Sequence, residues 1–147
     1  MEIHTILGSC VAICLYDSKM KSGGMNHFML PFWNGKGLAS PKYGNIALQR
    51  LVEQMLDLGA HKENMVAKVF GGGNVLESLS RQNDIGTRNI AVASDLLNSY
   101  GIRVASHSLG GELGRKIIFE TNTGKVHQRY INRMRMREMP VPEMRRK

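Results

Sequence analysis

The sequence predicts an α+β domain in which a layered β-sheet sandwich carries two flanking helices. Two segments have apolar residues at helical spacing, and several short apolar or alternating runs are separated by turns containing Gly and Asn, without a regular repeat. A chain of 147 residues is long enough for one ordinary core and short for two. We therefore expect one domain over residues 1–131, followed by a tail over residues 132–147.

The first two strands are expected to pair as an antiparallel hairpin. Residues 11–16 are apolar on both faces, which suits a strand buried between two layers. Residues 17–24 are typical of a turn, and residues 26–30 predict a second strand that ends at Pro31. Residues 32–41 then predict an irregular surface loop, long enough to be a candidate for function.

The spacing of apolar residues predicts two amphipathic helices. The first covers residues 44–58 with Gly59 as its cap, and the second covers residues 86–99 and stops at Gly101. Their expected inward-facing side chains are Ile46, Ala47, Leu51, Val52, Met55 and Leu58, and then Ile90, Ala93, Leu96 and Leu97.

Four further strands complete the expected sheet layers. Residues 66–70 and residues 102–106 are short apolar runs that follow the two regions of turn and helix. Residues 116–121 and residues 126–131 alternate in polarity around an Asn-Thr-Gly turn, so they predict a C-terminal hairpin.

The positive charge of the chain is concentrated in the predicted tail. The chain carries a net +8, of which residues 129–147 contribute seven Lys and Arg against two Glu, leaving +3 for the body. The tail is rich in Met, has two Pro and few aromatic residues, so we expect a disordered, solvated extension rather than a nucleic-acid-binding arm.

The hydropathy pattern and the first residues of the chain favour a cytoplasmic protein. The sequence has no apolar stretch of the length that a membrane span needs, and residues 1–4 do not begin a secretory signal, so we expect no membrane insertion. The two cysteines are then expected to be free thiols.

A cysteine and a histidine suggest a thiol enzyme. Cys10 follows Gly8 and Ser9 at the head of the first strand, where its sulfur is accessible, and His27 opens the second strand. Cys14 lies inside the apolar run and is expected to be core packing. A symmetric hairpin about the turn at 17–24 nevertheless places Cys14, rather than Cys10, nearer His27, and a bulge would shift that register.

Other chemistries are less well supported by the pattern. His4, Cys10, Cys14 and His27 have the residue types of a zinc site, but the two cysteines are separated by roughly 13 Å on an extended strand, so we expect no metal. The glycine loops at 71–73 and 110–114 lack a phosphate-loop pattern and are expected to be tight turns. Ser9 lacks the nucleophile elbow of serine hydrolases and is expected to line the pocket.

Four blocks of sequence carry a family resemblance across about 130 residues. They are residues 5–12 (Thr-Ile-Leu-Gly-Ser-Cys-Val-Ala), residues 23–31 (Gly-Gly-Met-Asn-His-Phe-Met-Leu-Pro), residues 70–74 (Phe-Gly-Gly-Gly-Asn), and Gly110-Gly111 with Gly114-Arg115-Lys116. In this order the blocks resemble the chemoreceptor glutamine deamidases of the CheD family. The resemblance implies a layered fold similar to the catalytic domain of the cytotoxic necrotizing factor toxins.

The resemblance also implies a catalytic cysteine, histidine and threonine. The first two correspond to Cys10 and His27, and the third to Thr5, with His4 as the alternative register. Ser9 and Asn26 are the expected substrate-binding residues. Relatives usually have a further N-terminal segment, so the chain is expected to be shortened there.

The resemblance implies further that the substrates are methyl-accepting chemotaxis receptors, that no cofactor is used, and that the phosphatase CheC is a regulatory partner. The surface loop at 32–41 is the expected docking face.

The chemistry of amide hydrolysis gives these residue types a reason. Cys10 is expected to attack the side-chain carbonyl of a glutamine as a thiolate, with its pKa lowered by a cationic His27. His27 then protonates the departing ammonia and activates the water that opens the thioester. Thr5 would fix the tautomer of the imidazole. The rival interpretations are a binding module without catalysis and a nucleic-acid binder that uses its basic tail.

Overall fold

The computed structural model describes residues 1–74 and 85–132, together with the backbone of Arg145 and Arg146. In chain order its elements are β1 Glu2–Leu7, β2 Val11–Asp17, β3 Ser22–Phe28, α1 Gly44–Asp57, a 3₁₀ turn at Lys62–Asn64, β4 Met65–Gly71, α2 Ile85–Tyr100, β5 Arg103–Leu109, β6 Gly114–Glu120, β7 Val126–Ile131 and β8 Arg145–Arg146.

The strands form two four-stranded sheets that pack face to face. One sheet has the order β7-β6-β1-β8 and the other has the order β3-β2-β4-β5. All pairings are antiparallel except that of β4 with β5, which α2 connects as a crossover. The predicted α+β sandwich with two flanking helices is therefore confirmed.

The core has two layers, one on each face of the sheet that contains β2. Alternate residues of β2 point to opposite faces, so Val11, Ile13 and Leu15 pack under both helices, while Ala12 and Cys14 face the other sheet. The helix-side layer also contains Leu48, Leu51, Val52, Met55, Ala93 and Leu97, and the layer between the sheets contains Ile3, Leu7, Met25, Phe70, Ile117 and Phe119. The three layers in order are helices, sheet and sheet.

Both predicted helices are present, and each buries a set of side chains that differs in part from the expected one. In α1 the expected Ile46 and Leu58 are not among the buried residues, whereas Leu48 is. In α2 the buried residues are Gly86, Asn89, Ala93 and Leu97, and the expected Ile90 and Leu96 are only partly buried. An asparagine thus occupies a position where the sequence pattern favoured an apolar residue.

The first hairpin corrects the expected turn. The structure pairs Asp17 with Ser22, so β3 begins four residues before the predicted start and ends at Phe28 rather than at residue 30. Gly23 lies within the strand, at a point where the packing leaves no space for a side chain. A Cβ there would be 2.6 Å from the carbonyl oxygen of Leu15 and 2.8 Å from the ring of Phe119. Gly23 therefore allows close packing between the two sheets and does not form a turn.

Strand β1 was absent from the sequence-based expectations. Its burial alternates, with Ile3, Thr5 and Leu7 inward and Glu2 and His4 only half-buried. Because a buried threonine takes the place of an apolar residue, the alternation is weak in sequence. β1 places the N-terminal segment in the centre of one sheet, between β6 and β8.

Most of the predicted tail lies outside the described residues. Residues 133–144 and Lys147 are not described, so the disorder expected for them stays a prediction. The backbone of Arg145 and Arg146 pairs with Ile3 and His4 of β1 as a two-residue edge strand. Among the described helices, none combines the length and the apolar character needed to cross a membrane.

Candidate active site

Three glycine-containing loops meet at the end of the sandwich where β2 begins. The backbone N–H of Gly72 donates to the carbonyl of Cys10 at 2.8 Å, and that of Gly73 donates to the carbonyl of Gly8 at 2.9 Å. The N–H of Gly110 donates to the carbonyl of Gly71, also at 2.9 Å. These bonds fix the backbone on either side of the Cys10 sulfur.

Gly71 is the tightest point of this contact. Its φ is +109°, and a Cβ added there would lie 2.2 Å from the carbonyl oxygen of Cys10. Only glycine allows both this backbone conformation and this approach. The backbone at residues 71–73, where a tight turn was expected, therefore packs directly against the backbone of Cys10.

The two cysteines differ in their surroundings although they share a face of the sheet. Cys10 precedes β2 and is half-buried, whereas Cys14 is 1% exposed between the sheets. Burial raises the pKa of both thiols, and Cys14 is surrounded by core side chains. Cys14 is core packing, as the sequence pattern indicated.

The hairpin register places His27 at the same distance along β2 from both cysteines. His27 pairs with Ala12, which lies two residues from Cys10 and two from Cys14. The symmetric register that favoured Cys14 is therefore not the one adopted, because the turn is shorter than expected. Exposure, rather than register, makes Cys10 the thiol that a substrate can reach.

Thr5 contacts the imidazole across the gap between the sheets. Thr5 Oγ1 and His27 Nδ1 are 2.9 Å apart, and Thr5 itself is 2% exposed. The alternative residue, His4, points to the other face of β1, where its Nε2 lies 3.2 Å from Oε1 of Glu2. Thr5 is therefore the residue that can orient His27.

Burial shifts the pKa values of both Cys10 and His27. Burial lowers the pKa of His27 and raises the pKa of Cys10, although the backbone N–H of Cys10 partly offsets the second effect. Both shifts favour the uncharged forms. Both shifts run against the thiolate and cationic imidazole expected from the sequence, because each group is partly buried at this end of the sandwich.

The two expected substrate-binding residues have different positions. Ser9 is half-buried next to Cys10, and its carbonyl accepts a hydrogen bond from Asn89 at 3.0 Å. Asn26 points to the opposite face of β3 from His27, and its Oδ1 accepts a hydrogen bond from the N–H of Ile13 at 3.0 Å. The structure therefore does not bring Asn26 to the site.

Two buried polar residues at this end were not singled out from the sequence as site residues. Asn89 is 0% exposed and donates to the backbone beside Cys10, and Arg115 is 2% exposed and donates to Ser108 and to the carbonyl of Gly110. Asn89 shares a helix face with Ala93 and Leu97, and Arg115 alternates with the buried Ile117 and Phe119. The sequence signal that could have found Asn89 and Arg115 is a polar residue at the spacing of a buried apolar face.

The site has no arrangement suited to a metal among the residues described. No group of three or more His, Cys, Asp or Glu side chains within residues 1–74 and 85–132 is placed to hold an ion. In the zinc set considered above, His4 points to the outer face of its sheet and Cys14 lies in the core.

Comparison with known proteins places the chain in one family. The family model described as CheD chemotactic sensory transduction matches residues 29–130, a range that begins after all five predicted site residues. A probable chemoreceptor glutamine deamidase CheD of Trichlorobacter lovleyi is 58% identical over 125 residues, covering 85% of this chain and 78% of its own. A relative of the same name from Sulfurimonas denitrificans is 49% identical over 133 residues, covering 89% of this chain and 85% of its own.

A third relative extends the similarity over the site itself. The probable chemoreceptor glutamine deamidase CheD of Hydrogenovibrio crunogenus is 37% identical over 149 residues, covering 98% of this chain and 76% of its own. That coverage takes in the segments that carry Thr5, Cys10 and His27. By these matches the chain belongs to the CheD family.

Proposed function

We propose that this protein is a protein-glutamine deamidase that converts glutamine side chains of methyl-accepting chemotaxis receptors to glutamate and releases ammonia. The observation that carries the proposal is the 2.9 Å hydrogen bond of Thr5 to His27, on the sheet face and at the sheet end where Cys10 lies half-buried. The names of the relatives describe deamidation of chemoreceptors. Amide hydrolysis by a thiol needs a nucleophile, a base and a residue that orients the base, and Cys10, His27 and Thr5 have these residue types.

In the proposed reaction, an uncharged Cys10–His27 pair is activated by the substrate. His27 takes the thiol proton as the Cys10 sulfur attacks the glutamine carbonyl carbon, forming a C–S bond and an oxyanion. The C–N bond then breaks, and His27 gives its proton to the departing nitrogen, so ammonia leaves and a thioester remains. A water molecule, deprotonated by His27, opens the thioester, and glutamate and the free thiol result.

Thr5 selects the tautomer that this sequence of steps requires. If Nδ1–H of His27 donates to Thr5 Oγ1, the lone pair of Nε2 is left to accept the proton of Cys10. The lowered pKa of His27 keeps this lone pair available at neutral pH. The buried position of Thr5 holds the ring in one orientation.

The backbone of Cys10 supplies the first donor for the oxyanion. Its N–H lies close to its own sulfur, where it lowers the pKa of the thiol against the effect of burial. A donor so placed can also receive the oxyanion formed at the attacked carbon, a contribution of about 2.7 to 4 kcal/mol in other enzymes.

The segment after β3 offers a docking surface for the receptor. Met29 is 56% exposed, Phe32 59% and Leu38 90%, all within a dozen residues of His27. Exposed apolar side chains near a site are typical of a protein-binding surface, and these three are close to His27 in sequence. We assign this surface to the receptor helices, with the phosphatase CheC as a competing partner.

Both described cysteines are free thiols, which fits action in the reducing cytoplasm.

The decisive experiment measures ammonia release and the one-dalton mass gain of a receptor cytoplasmic fragment. Cys10→Ala should abolish both signals, and Cys14→Ala should retain them, because only Cys10 is within reach of a substrate. Activity that survives in Cys10→Ala and disappears in Cys14→Ala would show that Cys14, and not Cys10, is the nucleophile. Receptor binding without deamidation by the wild-type protein would favour a binding module instead.

A further inference from the structure

The strands that carry the nucleophile and the base separate just before the site. The ladder between β2 and β3 ends at the pair of Val11 with Phe28, so Cys10 and Met29 lie beyond the last paired residues. No strand pairing of this hairpin therefore controls the spacing of the two segments at the level of the Cys10 sulfur.

Asn89 of α2 bridges these two segments. Its Nδ2 donates to the carbonyl of Ser9 at 3.0 Å and to the carbonyl of Met29 at 3.1 Å. Ser9 is the residue before Cys10, and Met29 is the second residue after His27. A primary amide has two N–H bonds, so a single nitrogen satisfies both carbonyls.

The side chain that makes this bridge is fully enclosed. The residue is 0% exposed, and its Oδ1 is buried without a hydrogen-bond partner in the described part of the chain. Keeping a buried acceptor unpaired is unfavourable, because the group loses its hydrogen bonds to water. Asn89 therefore keeps its two hydrogen bonds to the carbonyls of Ser9 and Met29 although its own oxygen stays unpaired, as is expected where the positions of those two carbonyls matter.

We propose that Asn89 is a positioning residue that sets the distance between the Cys10 sulfur and the His27 imidazole. This inference rests on the proposed function, because it gives Asn89 a role only in the joint action of those two groups. Asn89 touches neither sulfur nor imidazole and acts through the backbone on either side of them. The absence of strand pairing at this level explains why a side chain from a third element is needed.

The test compares Asn89→Leu with Thr121→Val in the deamidation assay. Thr121 is also buried and also donates to a backbone carbonyl, that of Met1 at 3.0 Å, but at the far end of the sandwich. We expect Asn89→Leu to lower kcat about 10- to 100-fold with KM within about twofold, and Thr121→Val to leave both unchanged. Equal kinetic losses in the two variants, or a loss confined to KM, would overturn the proposal.

A double-mutant cycle with Thr5→Val separates positioning from general destabilisation. If Asn89 and Thr5 serve the same geometry, the double variant should lose little more than the more damaged single variant. Losses that simply multiply would mean that Asn89 acts elsewhere. If Asn89→Leu does not fold, Asn89→Ala assayed at 10 °C gives the same comparison.

The wild-type and Cys10→Ala proteins are run in the same assay. Activity in Cys10→Ala would overturn the proposed function, whereas an unaffected Asn89 variant beside an inactive Cys10→Ala would overturn only the role of Asn89.

Discussion

The two ends of strand β2 satisfy their polar groups in opposite ways. At the far end, Asp17 is 0% exposed and every carboxylate oxygen is used: Oδ1 accepts from the N–H groups of Lys19 and Met20 at 2.9 Å, and Oδ2 accepts from that of His61 at 3.0 Å. At the Cys10 end, Oδ1 of Asn89 and Nη1 of Arg115 are buried without partners among the described residues.

This difference separates the part of the sheet that maintains the fold from the part that is arranged for chemistry. The far end is closed by hydrogen bonds whose removal should affect stability. The Cys10 end is also held by close glycine packing, but it keeps buried polar atoms unpaired, as is expected where local rules are broken for function. Each prediction below tests one side of this division.

The largest effect is expected for His27→Ala. Loss of the base should lower kcat/KM for receptor deamidation about 10²- to 10⁴-fold, because one group serves both proton transfers. The matched control is His107→Ala, an exposed histidine of β5, which should retain wild-type rates in the same ammonia assay. Comparable losses in both variants would remove His27 from the mechanism.

Gly71→Ala should damage the Cys10 end through the backbone. Its positive φ and the 2.2 Å approach to the Cys10 carbonyl predict a loss of about 3 to 5 kcal/mol in the free energy of unfolding, measured by urea denaturation. Gly101→Ala is the control, because its φ is +70° and nothing lies within 4 Å of the added Cβ. That variant should lose only about 1 to 2 kcal/mol.

Asp17→Asn should reduce stability and leave catalysis intact. An amide in place of the carboxylate puts an N–H group against a backbone N–H, so we expect a loss of about 2 to 4 kcal/mol in urea denaturation at pH 7. The exposed Asp95→Asn should show no change. A fall in kcat for folded Asp17→Asn would contradict the separation of the two ends.

Asp17→Asn should also change how the stability of the protein depends on pH. The hydrogen bond from Met20, followed by those from His61 and Lys19, holds the pKa of Asp17 below its ordinary value. A lowered folded-state pKa stabilises the protein above the unfolded value of about 3.9, and this stability disappears as the pH falls through the folded value. Acid destabilisation should accordingly be shallower in Asp17→Asn than in the wild type.

Thr5→Val should lower kcat about tenfold, the equivalent of one lost hydrogen bond of roughly 1.4 kcal/mol. Valine matches threonine in shape and suits a buried strand position, so the fold should be retained. Thr5→Ser keeps the hydroxyl and should restore most of the rate. A fully active Thr5→Val would show that the 2.9 Å contact with His27 is incidental.

The smallest effect concerns the ionisation of Cys10 in the free protein. Burial raises the pKa of this thiol, so the rate of its alkylation by iodoacetamide should rise with pH to a midpoint above the ordinary value of about 8.5. Cys14 should stay unmodified until the protein unfolds. A midpoint below pH 7 would instead favour a resting state with a Cys10 thiolate and a His27 imidazolium.

Much of the fold could be predicted from local pattern. Helical spacing indicated α1 and α2 to within a residue or two, and turn residues indicated both hairpins, although the first turn is shorter than expected. The errors occurred where a residue has a tertiary role: Gly23 resembles a turn residue but lies in β3 because Phe119 of the other sheet leaves no space for a Cβ. Likewise β1 was missed because Thr5 is buried against a histidine distant in sequence.

Three features of the site could be read from local sequence: an accessible cysteine after glycine, a histidine on the neighbouring strand, and the glycines that let loops approach them. Which of them lie together depended on the tertiary structure, because Thr5, Asn89 and Arg115 come to this end of the sandwich from separate elements. Burial between two sheets, which no local pattern records, raises one pKa and lowers the other.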